Sequence, residues 1–200
     1  MKKLLLSLCV LCLLVCGCSK SSEPTIVVES FLKESKNKTN TNSLDDLGLG
    51  KLKEEIGIDE ETLKTLINSI GNYDYVVNSE KVDGDTATVN VTISTYDFGG
   101  WITNSLTQAI SQAFSLAFSG ETSEDAIKEA MNKVIKEQTE TMIKDGKTKK
   151  ATVDIICKKD GDEWVVDEKA TGEELADALS GGLVNTMKDL ESQLEGMFQQ

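Results

Sequence analysis

The 200-residue chain carries 34 acidic side chains against 21 lysines, a net charge of −13, with no arginine and no histidine. A surface that acidic repels phosphate backbones and anionic lipid heads, so nucleic-acid binding and attachment to a membrane by charge are disfavoured. Without His the usual general base is missing, and without Arg the usual planar anion clamp, which leaves catalysis to carboxylates, Lys, Tyr or a thiol.

The chain opens on Met1-Lys2-Lys3, an apolar segment from Leu4 to Val15 too short to span a bilayer, the small residue Gly17 and then Cys18. The box Val15-Cys16-Gly17-Cys18 resembles the lipobox of bacterial lipoproteins, with Val15 where Leu is usual and Cys16 where Ala or Ser is usual. The resemblance implies removal of residues 1–17 as a signal peptide and transfer of a diacylglycerol group to the Cys18 thiol. It further implies a lipid-anchored protein on the extracytoplasmic face of a cell membrane, palmitate being the type of acyl chain expected. A secretory signal without lipid is the competing reading. Cleavage would remove Lys2 and Lys3, leaving 19 lysines against 34 acids, a balance of −15, so the lipid must do the anchoring. Cys9, Cys12 and Cys16 would leave with the signal and Cys18 would be acylated, so Cys157 is expected to be unpaired and the fold to rest on its core.

Residues 18–23 read as a lipidated tether, and residues 24–200 as a single domain. Pro24 is placed to open a helix in which Val27, Val28, Phe31 and Leu32 repeat at helical spacing. The polar stretch Lys33 to Gly50 reads as a loop. Asp59 is a helix cap, with Leu63, Leu66, Ile67 and Ile70 on one face of the helix that follows. From Tyr73 the period changes. Ala87, Val89, Val91 and Ile93 alternate with polar residues, and Asp83-Gly84 turns the chain between this run and the one before it. Ala151, Val153, Ile155 and Cys157 repeat the pattern, with Asp160-Gly161 turning back to Trp164 and Val166.

Between the two hairpins, at about residues 100–145, the sequence predicts a helical insertion. Gly99-Gly100 ends the strand. Ile102, Leu106, Ala109, Ile110, Ala113, Phe114 and Ala117 then form one helical stripe. Thr122 with Asp125 resembles a capping box for a second helix, in which Ile127, Met131, Val134 and Met142 face inward until Gly146. Thr171 with Glu174 is placed to cap a short helix, Gly181-Gly182 to break it, and Leu183, Met187, Leu190, Leu194 and Met197 to line a last one. The fold class is therefore α+β. An antiparallel sheet of about four strands in two hairpins is packed by an N-terminal helix, with a helical hairpin inserted between the strand pairs and helices at the C-terminus.

The order of a helix opened by Pro24, then Asp83-Gly84-Asp85-Thr86-Ala87-Thr88-Val89, then a strand, then Asp160-Gly161-Asp162-Glu163-Trp164-Val165-Val166-Asp167, is similar to bacterial lipoproteins of unknown function with a cystatin-like or nuclear-transport-factor-two-like fold. It covers about half of the chain beyond the signal. The resemblance implies a helix packed into a curved antiparallel sheet, and the helices of residues 101–144 depart from the compact form of that fold.

Complete catalytic or metal motifs are missing. Calcium loops starting at Asp83 or Asp160 would need Glu at the twelfth position, where Ser94 and Thr171 stand. Gly146-Lys147-Thr148 ends like a phosphate loop, but Thr141 occupies the place of its first Gly. Cys157 beside Lys158 and Lys159 reads as a buried strand residue before it reads as a nucleophile. Folds of the nuclear-transport-factor-two type host isomerases with an Asp base and Tyr donors, which draws attention to Asp74, Asp97, Tyr73, Tyr75 and Tyr96. Candidate ligand-contacting residues are Tyr73, Tyr75, Tyr96, Trp101 and Trp164. Phe98 to Gly120 contains no charged residue. Burial on most sides is the first reading of that stretch, and contact with a protein, a ligand or a bilayer headgroup region the second.

The expectation is a non-catalytic lipoprotein that binds a partner protein or small ligand, with no cofactor, no metal and no nucleic acid. The alternatives are a small acid-base enzyme using Asp and Tyr in the sheet cavity, and a structural or self-associating surface protein.

Overall fold

The computed structural model describes residues 23–41, 58–121 and 123–198. The cleavage box, the Cys18 lipidation position and most of the tether lie outside the described residues, as do the side chains of Leu194 and Met197. Among the described residues there are six helices and four strands: α1 (Pro24–Thr41), α2 (Glu60–Ile70), β1 (Asp74–Asp83), β2 (Thr86–Thr95), α3 (Phe98–Ser119), α4 (Glu124–Asp145), β3 (Lys149–Asp160), β4 (Glu163–Val166), α5 (Glu168–Leu179) and α6 (Leu183–Phe198). The fold is α+β, as its periodicities predict.

The strands form one antiparallel sheet in the order β1-β2-β3-β4. Thr86 pairs with Lys158 and Thr95 with Lys149, so the α3–α4 hairpin leaves from one end of the β2–β3 ladder and returns to it. The two-residue turns at the other end begin with Gly84 (φ 60°) and Gly161 (φ 67°), and among the described residues no non-glycine residue has a positive φ. Each turn is therefore Gly-Asp rather than Asp-Gly, the arrangement that puts glycine first in a type II′ turn.

One face of the sheet is dry. Ala87, Val89, Val91 and Ile93 of β2 and Val153, Ile155 and Cys157 of β3 are buried there with Trp164, beneath Val27, Val28, Phe31 and Leu32 of α1 and Leu175, Ala178 and Leu179 of α5. Burial of each of the larger aliphatic side chains contributes about 1.5–3 kcal/mol, which makes this layer the main source of stability. The other face is wet and laced with polar contacts. Asn78 donates to Asn90 and Thr92, Asn90 donates to Asp154, and Thr92 meets Thr152 at 3.0 Å.

A second core is built mainly by helices: Ile58 just before α2 joins Leu63, Leu66 and Ile67 of α2, Phe98 of α3, Ile135 and Met142 of α4 and Leu183 of α6. It lies to the side of the sandwich of helix and sheet, and no single amphipathic pattern announces it.

Four local expectations need correction. Residues 33–41 are helical rather than loop. The Ser35 hydroxyl donates to the Phe31 carbonyl and the Lys36 ammonium to the Tyr73 carbonyl, so packing extends a helix whose composition is that of a loop. The cap of α4 is Ser123, which accepts from the Ala126 N–H, and Thr122 lies outside the described residues. Asp167, not Thr171, caps α5. Thr171 is buried one turn further on, where its hydroxyl accepts from the Ile156 N–H of β3 and donates to the Asp167 carbonyl. Finally, Gly99 and Gly100 do not end a strand. They form the first turn of α3, which Asp97 caps by accepting from the Gly100 N–H.

Candidate functional site

The aromatic residues singled out from the sequence divide between the two cores. Tyr73 is buried in the sheet layer, its hydroxyl donating to the Leu32 carbonyl at 2.6 Å and its ring under the Lys36 ammonium. Burial holds its proton on well above the ordinary tyrosine range, and burial also raises Tyr75, which packs half-buried against the same core. Trp164 is buried in that layer too, with the Lys159 ammonium 5.5 Å from its ring centre. Tyr96 and Trp101 belong to the helical core instead. Tyr96 meets Phe98 edge to face at 6.4 Å, and the Trp101 indole N–H donates to the Thr139 hydroxyl.

The carboxylates are similarly occupied. Asp74 accepts from the Lys147 ammonium at 2.8 Å, and that hydrogen bond lowers its pKa below the ordinary aspartate value. Asp97 is the cap of α3 and has Lys149 at 3.9 Å. Both sit at the end of the sheet from which the helical hairpin leaves, but each is engaged in holding the chain there. The Tyr73 hydroxyl, whose proton a base or donor pair would share, already bonds to backbone. Cys157 is buried, and desolvation followed by the negative charge of Glu80 pushes its thiol up to about 12. A thiol held protonated is a core residue and a poor nucleophile. Among the described residues, no group of three His, Cys, Asp or Glu is placed to hold a metal ion.

The uncharged helix has a different character from the one its stripe suggests. Its first half packs into the domain, with Phe98, Gly99, Ser105 and Ala109 buried and Trp101 and Ile102 half-buried, and beyond Ala109 only Leu116 is half-buried. Leu106, Ile110, Phe114 and Phe118 are exposed, as is Ile127 at the start of α4. The expectation that Ile127 faces inward is therefore overturned, and burial of α3 on most sides is confined to its base. Chain connectivity explains the outcome. The β3 strand must begin beside the end of β2, so a pair of 22-residue helices inserted at that point reaches beyond the sheet-side contacts that bury its base.

The base of α3 is set by a close approach of two backbones. Gly99 N–H donates to the Gly181 carbonyl at 3.1 Å, and a Cβ on Gly181 would stand 1.9 Å from the Tyr96 carbonyl oxygen. This contact fastens the β2–α3 junction onto the α5–α6 turn, and with it the direction in which the hairpin projects.

The molecule is thus an α+β domain with a dry helix-on-sheet layer and an uncharged helical hairpin whose distal apolar face is open. No protein-family model matches the chain, and no curated protein matches it. Among solved structures the chain is similar to YcdA of Bacillus subtilis, provisionally described as a lipoprotein, with 18% identity and a TM-score of 0.39. The likeness covers 78% of this chain and 47% of that one, so the chain spans about half the length of the protein it matches. A likeness of this extent assigns neither a fold family nor a function. Among the described residues no helix is long and apolar enough to cross a membrane.

Proposed function

We propose that this chain is a lipoprotein held at the extracytoplasmic face of a cell membrane by a diacylglycerol group on Cys18, and that its domain binds a partner protein or small ligand without catalysing a reaction. The observation that carries this reading is the lysine-led apolar segment ending in Val15-Cys16-Gly17-Cys18. Two acyl chains hold a protein on a bilayer where one lets go, since each buried methylene contributes about 0.8 kcal/mol. The acidity of the chain supports an anchor made of lipid rather than charge. The packing of α1 across an antiparallel sheet supports kinship with cystatin-like and nuclear-transport-factor-two-like domains. The absence of His and Arg, together with the engagement of Tyr73, Asp74 and Asp97 in structural bonds, supports binding over acid-base chemistry.

The test is mass spectrometry of the N-terminal peptide of the protein purified from membranes. A peptide beginning at Cys18 with the mass of a diacylglyceryl group is expected, and Cys18→Ala leaves the protein uncleaved or shed into the medium. A bare amino terminus at Cys18, or a Cys18→Ala protein that is cleaved and still retained, would overturn the anchorage. A reaction abolished by a single Asp or Tyr substitution would overturn the non-catalytic reading.

A further inference from the structure

Leu106, Ile110, Phe114 and Phe118 stand at every fourth position of α3 and are 43%, 53%, 63% and 91% exposed. Residues four apart on a helix are neighbours, so the four form one row. Single exposed apolar residues are ordinary, whereas a contiguous row exposing on the order of 500 Å² is the size of a functional patch. The same helix buries Ser105 and Ala109, so its contacts with its own domain are made by other residues.

Area and charge together select the occupant. Two such rows meeting face to face would bury on the order of 1,000 Å², where specific protein interfaces begin. Two copies of a chain of net charge −13 repel each other over most of their surface, yet no charged side chain lies between Phe98 and Gly120. The row is therefore a place where identical molecules can touch without bringing like charges into contact. A bilayer fits less well, because helices that lie in the headgroup region flank their apolar face with Lys or Arg, and α3 has neither. Side-chain size fits a two-fold arrangement. With the helices antiparallel, Leu106 faces Phe118 of the second copy and Ile110 faces Phe114, an aliphatic group against an aromatic one at every step.

We propose that α3 is a self-association face, covered by α3 of a second copy of this chain running antiparallel about a two-fold axis between Ile110 and Phe114. The pairing of the rows does not depend on acylation of Cys18, but the control in which the natural chain gives no band rests on that acylation, which the N-terminal peptide mass checks separately. Ser111 and Ala113 are exposed and flank the row on opposite sides, so in this arrangement Ser111 of one copy lies beside Ser111 of the other, and Ala113 beside Ala113. Gln108 is exposed on the side of the helix away from the row.

The experiment uses the full-length chain in whole cells, oxidised and separated on a non-reducing gel. The Ser111→Cys/Ala113→Cys chain is expected to give a dimer band that weakens by roughly tenfold or more when Phe114→Asp and Phe118→Asp are added, the loss expected when central interface aromatics are removed. The natural chain and a Gln108→Cys chain are expected to give none. Buried Cys157 reports folding, because a folded variant leaves it unlabelled by a water-soluble maleimide. Phe118→Ser alone takes the place of the double Asp variant if Cys157 becomes reactive. The proposal is overturned by the absence of a dimer band, by an equal band from Gln108→Cys or the natural chain, or by a band that survives the substitutions at Phe114 and Phe118. It is also overturned if a Phe118→Cys thiol is shielded from maleimide while no dimer forms, which would give the row to a bilayer or to another part of the chain.

Discussion

Replacing Gly181 by Ala tests the contact that joins the two cores. Gly181 has a φ of 58°, and an added Cβ would lie 1.9 Å from the Tyr96 carbonyl oxygen and 3.2 Å from the Phe98 amide nitrogen. Positive φ alone costs an L-residue about 1–2 kcal/mol. Relief of the overlap requires the Tyr96 carbonyl to move by more than an ångström, which strains the bond from Gly99 N–H to Gly181 and the packing of Phe98, an overpacking cost of about 1–3 kcal/mol more. The sum is about 2–5 kcal/mol against a total stability of about 5–15 kcal/mol for a domain of this kind. For a chain of this length it lowers Tm by roughly 4–20 °C. Gly120→Ala is the control, since Gly120 is also left-handed (φ 78°) and its Cβ would meet nothing within 4 Å. Thermal unfolding followed by the fluorescence of Trp101 and Trp164 reads both variants. If Gly181→Ala costs no more than Gly120→Ala, the backbone contact does not hold the junction and the reasoning fails.

Asp59 and Cys157 give two further predictions. Asp59 caps α2, its carboxylate accepting from the Thr62 N–H and hydroxyl at 2.8 Å each, while its own N–H donates to Asn132 of α4. Asp59→Ala is expected to cost about 1 kcal/mol near neutral pH. The Thr62 N–H, the largest influence, lowers the Asp59 pKa below 3.8, so the stabilisation is present above that value and is lost as pH falls through the lower folded one. Urea melts of the two proteins that stay equally far apart at pH 7 and at pH 2 would refute this. For Cys157 the sign is opposite. A thiol pushed up from 9.0 to about 12 contributes stability below pH 9 that is lost as pH rises towards 12, and labelling of Cys157 at pH 8 should require global unfolding. Rapid labelling of the folded protein at that pH would show that the strand opens locally.

Local chemistry written in neighbouring residues was legible before any coordinates. The alternation of Ala87, Val89, Val91 and Ile93 against polar residues has one geometric meaning, a strand with one dry face, and Gly84 and Gly161 place the two hairpin turns, although the turn residues are Gly-Asp rather than the expected Asp-Gly. Where two residues competed for one local role, the tertiary surroundings chose. Thr171 has the chemistry of a cap, but the Ile156 N–H of β3 needed a partner and the Thr171 hydroxyl went to it. Residues 33–41 have the composition of a loop, but Lys36 reaches the Tyr73 carbonyl and the helix continues.

The sequence alone determined the elements, their order and the expectation of a lipid address, because each follows from spacing within a dozen residues. Tertiary structure decided which apolar faces find partners. Val27 to Leu32 and Leu106 to Phe118 are both apolar helical rows. The first lies over a sheet and is buried, while the second runs along an inserted hairpin beyond the packed base and remains open. Periodicity tells a helix which side is apolar. Only the three-dimensional course of the chain determines whether anything is there to meet it.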